Sequence, residues 1–335
     1  MKVFAVIVTY GNRFHFLKEV IESAFSEGVQ KIIVIDNDST TESKAQLKVY
    51  EKELGPDKLK VSYLDKNYGS AGGFKRGLEE AYNDTACEFI WLLDDDNQPQ
   101  KESLNVLRDY WNSLDRKDKN EKISLLAYRN DRIAYKEAVM ANNPELVLGR
   151  DNSFLGFHIV DLPRKVLKLI KRKLGVKTFV DDIKVRSGIV SVAPYGGMFF
   201  HKNIILEIGY PNEDYFLYSD DHDWSYRITQ CRGGIYIVLD SVIEDIDTSW
   251  SLKEKPASPF YSFLNYGNHF RVYYSVRNRV DFEKNLLTNN MLYSLHLRLF
   301  LLILFLYKRD ENKSQYNIFR KAIKDGLNNK LGKTI

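Results

Sequence analysis

Along roughly the first third of the chain, hydrophobic positions alternate between two rhythms. Val3 to Val8 is an unbroken apolar run that stops at Thr9 and Tyr10, the mark of a strand buried on both faces. Lys2 to Thr9 is therefore expected to be the first strand. It is not expected to be a secretory leader, which needs a longer apolar core and a small-residue cleavage site. In "GNRFHFLKEVIESAFSEG", Leu17, Val20, Ile21, Ala24 and Phe25 recur at helical spacing, and Gly28 is a plausible stop. "KIIVIDNDS" reads as a second buried strand ending in Asp36 and Asn37, with a helical segment to Leu54 after it. "KVSYLDKN" reads as a third strand and "SAGGFKRGLEEAYND" as a helix. "CEFIWLLDDD" reads as a fourth strand, followed by a helix from Lys101 to Leu114.

Strand and helix in strict alternation predict an α/β fold with a mostly parallel, Rossmann-like sheet and crossover helices. Each predicted strand ends in polar residues: Thr9 and Tyr10, Asp36 and Asn37, Asn67, and Asp94 to Asp96. Ligands of open α/β sheets bind beyond the carboxyl ends of the strands, so these clusters are expected to share one crevice. Three adjacent carboxylates closing a buried strand suit a cation, or a charged substrate held through one. A solvated turn and helix cap is the plainer alternative. The glycines of "NYGSAGGFKRG", Gly73 among them, would let backbone approach a ligand or a helix closely. After about residue 120 the pattern changes. A second acid cluster, Asp220, Asp221 and Asp223 with Trp224 beside it, opens a helical segment. One acid would suffice for a cap, so a working carboxylate is expected there.

Composition narrows the classes. With 335 residues the chain can form one large α/β domain with extensions, or two domains, and 44% hydrophobic content argues against extended disorder. The net charge of +4 does not point to nucleic acid. Cys87 and Cys231 stand far apart, which argues against a disulfide framework or zinc site and fits a reducing compartment. "TYGNRF" after the first strand lacks the G-x-G-x-x-G of a dinucleotide site, and no P-loop occurs.

Over residues 3 to 245 the ordered motifs resemble the family-2 glycosyltransferases of the GT-A fold. "VIVTYGNR" is similar to the family's opening strand and nucleotide loop, "VIDNDST" to its base-binding segment, "WLLDDDNQP" to its metal-binding DxD element and "SDDHDWSYRI" to the element that carries the catalytic base. "NYGSAGGFKRGLEEA", the triple Asp and "YYSVRNRV" at 273 to 280 bring it nearest to bacterial galactofuranosyltransferases and their rhamnosyltransferase relatives. The resemblance implies a GT-A domain over 1–250, with a nucleotide-sugar half (1–120) and an acceptor and catalytic half (121–250), and a helical C-terminal region over 251–335. It implies Asp94 and Asp96 as ligands of a divalent cation, Mn²⁺ or Mg²⁺, with Asp95 as a third donor contact. Thr9, Tyr10, Asn12, Arg13, Asp36, Asn67 and Gly73 would line the nucleotide site, with Asp36 at the base. Asp221 would be the general base, with Asp220 and Asp223 in support. Tyr195, Gly196, Gly197 and Trp224 would form the donor and acceptor platform, although core packing is an equal reading of Trp224. The implied reaction is inverting transfer of galactofuranose from UDP-galactofuranose to a cell-surface polysaccharide or lipid-linked glycan. Rhamnosyl transfer from dTDP-rhamnose is the alternative within the class, and a non-catalytic membrane-bound glycan-binding subunit the alternative outside it. A nucleotidyltransferase would need a Gly-rich G-T-R loop that "TYGNR" does not match. Members often carry a further metal-binding His about twenty residues after the base. "LDSVIEDIDTSWS" has none, leaving Asp245 or Asp247 as oxygen stand-ins.

Two segments suggest an anionic membrane surface. "LPRKVLKLIKRKLGVK", 162 to 177, holds seven basic residues and no acid, and separates apolar from basic arcs on a helix. "MLYSLHLRLFLLILFLYKR", 291 to 309, has an uninterrupted apolar run of nine residues from Leu299 to Tyr307, about half a membrane span. A core helix, a dimer contact and shallow membrane insertion remain open for it. The expected location is cytoplasmic, peripheral at the inner face of the cell membrane, with no nucleic-acid partner and homo-oligomerisation left open.

Overall fold

The computed structural model describes residues 1–163, 185–247, 264 and 268–334. Its contacts divide the chain into two compact units, Met1–Val147 with Val185–Lys253, and Leu148–Lys184 with Glu254–Ile335. The basic segment 162–177 falls almost wholly outside the described residues.

In the first unit the predicted alternation is realised. Strand β1 (Val3–Gly11) leads to α1 (Phe14–Ser26), which buries Leu17, Val20, Ile21 and Ala24. Then follow β2 (Lys31–Ser39), α2 (Thr41–Leu54), β3 (Leu59–Tyr63), α3 (Gly69–Asn83) and β4 (Phe89–Asp94). The Thr40 side chain caps α2 by accepting from the Ser43 N–H. The short β5 (Asn97–Pro99) comes directly after the acid triplet, and α4 (Ser103–Ser113) follows. Beyond them lie α5 (Lys119–Lys122), β6 (Ile123–Arg129), α6 (Ile133–Met140), β7 (Ser187–Val190), β8 (Met198–His201), α7 (Ile204–Ile208), α8 (Asp220–Gln230) and β9 (Gly234–Asp245).

Among the described residues the strands form one sheet in the order β3-β2-β1-β4-β8-β6-β9-β5, with β7 pairing β9. The pairs β1–β2, β1–β4, β2–β3 and β6–β9 are parallel, whereas β4–β8, β6–β8, β5–β9 and β7–β9 are antiparallel. The sheet is thus evenly mixed, and the mostly parallel expectation holds only as far as Asp94. Strand–helix alternation was its basis. That alternation ends near residue 120, and antiparallel neighbours need no crossover helix.

Pleating sends alternate residues of β1 to two cores. Val3, Ala5 and Ile7 meet Leu17, Val20, Leu104 and Trp111 on one face. Phe4, Val6 and Val8 meet Phe74, Leu78, Tyr195 and Trp224 on the other. Helix α3 lies directly on β1 because Gly73 and Gly77 face it. A Cβ at Gly73 would stand 2.6 Å from Val8 Cγ1, and one at Gly77 would overlap Val6. Gly73 therefore packs helix on strand.

The second unit is helical, with α9 (His269–Lys284), α10 (Asn290–Tyr307) and α11 (Lys313–Leu327). "YYSVRNRV" lies in α9, where Tyr273, Tyr274, Val276, Arg277, Asn278 and Val280 are buried. The fully buried Arg277 donates to the carbonyl of Gly332 at 2.6 Å and lies 4.7 Å from the Tyr274 ring centre. The motif thereby ties the C-terminal segment to its helix.

Candidate functional site

The three acids closing β4 point in different directions. Asp95 turns into the protein, where it accepts from Thr9 Oγ1 at 2.8 Å and from Arg13 Nε at 2.9 Å. Arg13 also donates to Asp96 at 2.5 Å and to Asp247 at 2.7 Å. Thr9 and Arg13, expected along a nucleotide loop, hold Asp95 and Asp96 in place. Asp95 is 3% exposed with both oxygens engaged, so it acts as an anchor of that loop. Burial pushes its carboxyl up to about 7, against the pull of Arg13. Burial also opposes the charge on Arg13, but its three carboxylates outweigh that and raise it further. Asn12 is exposed, and Tyr10 is largely so, with the Arg13 guanidinium 5.6 Å from its ring centre.

Asp96 accepts from Arg13 on Oδ2 and from Asn97 Nδ2 on Oδ1 at 2.8 Å, while Asp94 faces Gly196. Asp96 is raised by burial and then by the charge of Asp94, with Arg13 and Arg129 opposing. Asp94 is raised by burial and by the charges of Asp221 and Asp245, while Arg132 and then Arg129 oppose. Gly196 makes room for this pair, since a Cβ there would stand 2.6 Å from Asp94 Oδ2 and overlap Asn97 Oδ1. That Asn97 oxygen is buried without a hydrogen-bond partner. Gly197, at φ +101°, turns the chain into β8. The end of β9 flanks the site, with Asp245 opposite Asn97 in the β5–β9 ladder and Ile246 N donating to Asp96 O at 2.9 Å. Both acids considered as stand-ins for the missing His thus lie beside the triplet, each held by an arginine: Asp245 by Arg129 at 2.7 Å and Asp247 by Arg13.

Arg129, Arg132 and Asn97 were not singled out in the sequence. Arg129 ends β6 and is shared between Asp131 and Asp245. Arg132 lines a small pocket with Arg129, Pro194 and Gly196. Among the described residues its guanidinium makes no hydrogen bond or ion pair. Position at a strand end was the available signal for Arg129. Nothing local marked Arg132.

The second acid cluster lies at the start of α8. Asp220 is buried and accepts from Ser70 Oγ at 2.7 Å. Burial, followed by the charge of Asp221, pushes it up to about 8. Tyr195, buried beside these acids, is raised by burial and by Asp220. Asp221 accepts from the His222 N–H at 2.8 Å and makes no ion pair among the described residues. Asp223 is bound to Arg227 at 2.5 Å, one helical turn on, and so is not a ready base. Trp224 is fully buried against Tyr195 and Phe200, with Nε1 donating to Gly209 O at 2.8 Å. Its ring belongs to the core, so of its two readings the platform role is corrected.

At the end of β2, Asp36 is fully buried. Its Oδ1 accepts from Ser39 N at 2.8 Å, while Oδ2 has no hydrogen-bond partner and lies 3.8 Å from Lys44 Nζ. Asn37 bridges the start of α3 by donating to Gly69 O at 2.9 Å and accepting from Tyr68 N. Asn67 accepts from Gly69 N at 2.8 Å, so it orders the same turn.

Among the described residues no group of three His, Cys, Asp or Glu side chains is set to hold a metal. Asp94 and Asp96 still suit a hard divalent cation. They are two mutually repelling carboxylates at a strand end, and Mg²⁺ or Mn²⁺ commonly takes one or two carboxylates with phosphate oxygens and water.

Residues 5–117 match the Glycosyl transferase family 2 model. The whole chain shares its fold with solved glycosyltransferases. A crystal structure of GalNAc-T7 with UDP, GalNAc and Mn²⁺ superposes at a TM-score of 0.54 with 14% identity, covering 98% of this chain and 55% of that one. The mannosyltransferase PcManGT from Pyrobaculum calidifontis, in complex with GDP-Man and Mn²⁺, superposes at 0.52 with 12% identity, covering 98% and 75%. This chain therefore spans about half the length of the first. No curated protein matches it. The fold is GT-A, as the motifs implied.

Proposed function

We propose that this protein is a metal-assisted, inverting glycosyltransferase that moves galactofuranose from UDP-galactofuranose to a cell-surface polysaccharide or lipid-linked glycan. The observation that carries the reading is that two acid clusters far apart in sequence flank one turn, where Gly196 abuts Asp94 and its neighbour Tyr195 is buried beside Asp220. A donor diphosphate at Asp94 and Asp96 would then have a base at hand for the acceptor.

In this reading Asp221 accepts the proton of the acceptor hydroxyl as its oxygen bonds to the anomeric carbon, and the carbon–oxygen bond to the diphosphate breaks on the opposite face. Asp220 keeps its proton near neutral pH, because burial and then the charge of Asp221 oppose its ionisation. Asp94 and Asp96 would hold the divalent cation, which when bound neutralises charge developing on the leaving diphosphate. Arg132 adds a positive charge on the same side. Asp36, ion-paired to Lys44 at the end of β2, is assigned to the base side of the donor on the motif resemblance. UDP in one structural neighbour and Mn²⁺ in both support a nucleotide-sugar donor and a divalent cation here. The choice of galactofuranose rests on the motif resemblance.

The test is release of nucleoside diphosphate from a panel of sugar nucleotides, with Mn²⁺, with Mg²⁺ and with chelator. Turnover of UDP-galactofuranose above all others is expected. A preference for dTDP-rhamnose would keep the site roles and replace the sugar, and no turnover of any donor under any condition would reject the enzyme.

A further inference from the structure

Helix α10 turns apolar residues both to its own unit and to solvent. Tyr293, His296, Phe300 and Leu304, spaced three or four apart, are buried. Phe300 stacks on Phe319 at 5.8 Å and meets Phe154 edge-on at 5.1 Å, while His296 Nδ1 lies 2.7 Å from Asn152 O. On another face Met291 is 85% exposed, Leu295 45%, Leu302 56%, Phe305 53% and Leu306 74%. These positions recur at helical spacing and form one stripe, with the exposed Arg298 at its middle. No acid occurs between 290 and 307, and Lys308 and Arg309 follow directly.

A run of large apolar side chains left in water marks an interaction surface. By length and composition alone the helix could cross a membrane. Its packing argues otherwise, because spanning would strip Phe300 and Leu304 from their own unit. Held by that face, a helix about 27 Å long can only lie along a surface. Arg298 decides between a lipid surface and a second copy of the chain. Two-fold pairing centred on this helix would set Arg298 against its own copy, with no carboxylate on the helix to neutralise either. Anionic headgroups would instead meet Arg298, Lys308 and Arg309, while the stripe enters the acyl boundary.

We infer that the exposed stripe of α10 is a membrane-docking surface that lies in the headgroup–acyl boundary of an anionic bilayer. The inference needs only this helix and does not depend on the catalytic reading.

The test is co-sedimentation of the full chain with vesicles of phosphatidylcholine alone and of phosphatidylcholine mixed with phosphatidylglycerol. A Leu302→Ser/Phe305→Ser/Leu306→Ser variant runs beside it, with folding checked by circular dichroism and sugar-nucleotide binding followed separately. All three positions are exposed, so the variant should fold. Binding to mixed vesicles is expected to exceed binding to phosphatidylcholine, and the variant should lose at least about tenfold in partitioning. Arg298→Glu should reduce the preference for anionic vesicles. Equal binding by parent and triple variant would overturn the proposal, since another segment would then carry the contact. A dimer that the triple variant abolishes, without vesicle binding by the parent, would overturn it in favour of a second copy.

Discussion

Gly196 holds its backbone so close to Asp94 that a Cβ at that position would stand 2.6 Å from the Asp94 Oδ2 oxygen. The glycine lets the turn into β8 abut the acid triplet. Gly196→Ala would push Asp94 and Asn97 aside. Transfer should fall by about 100-fold, as misplacement of a reacting group by about 1 Å does. The stability cost should be about 1–3 kcal/mol, as for other overpacked sites. Diphosphate release and thermal melting, measured together, separate the two effects.

Arg13 neutralises Asp95, Asp96 and Asp247 at once. Arg13→Ala leaves buried carboxylates without their cation and should cost about 3–5 kcal/mol near neutral pH. The loss should shrink in acid, where those carboxylates take up protons. Urea denaturation at both conditions checks this.

Asp220 makes stability depend on pH in a definite direction. Its folded value of about 8 lies above the ordinary carboxylate value of about 4. Its contribution is therefore full below the ordinary value and is lost as pH rises through the folded one. The parent should melt progressively lower across that window, and Asp220→Asn should flatten the slope. Melting temperatures taken across the range decide it.

The Arg132 guanidinium offers a charge to Asp94, shared only electrostatically with Asp131 and tied up in no hydrogen bond or ion pair among the described residues. Arg132→Ala should weaken nucleoside diphosphate binding by about 10- to 100-fold, the worth of one charge-assisted contact to phosphate, with little change in stability. Calorimetric titration with UDP measures it. Equal affinity in parent and variant would remove Arg132 from the diphosphate site.

The first half of the fold was readable because its strands are buried on both faces, so Val3–Val8 and Phe89–Leu93 stand out as uninterrupted apolar runs. Strands β7 and β8 have four residues each, and their pairing with distant partners leaves no local pattern. The acids were legible by clustering, but their partners were not. Nothing in the local sequence shows that Arg13 reaches Asp247, or that Gly196 faces Asp94. Trp224 stands in a motif that suggested ligand contact, yet it serves packing, since one residue type fills either need.

The most direct test of the account is Asp221→Asn, assayed for donor binding and for transfer on the same preparation. The account predicts that UDP-galactofuranose still binds with nearly parental affinity, while transfer falls by about 100- to 10,000-fold, the usual worth of a general base. Transfer at the parental rate would contradict it, because the proton would then be leaving the acceptor by another route.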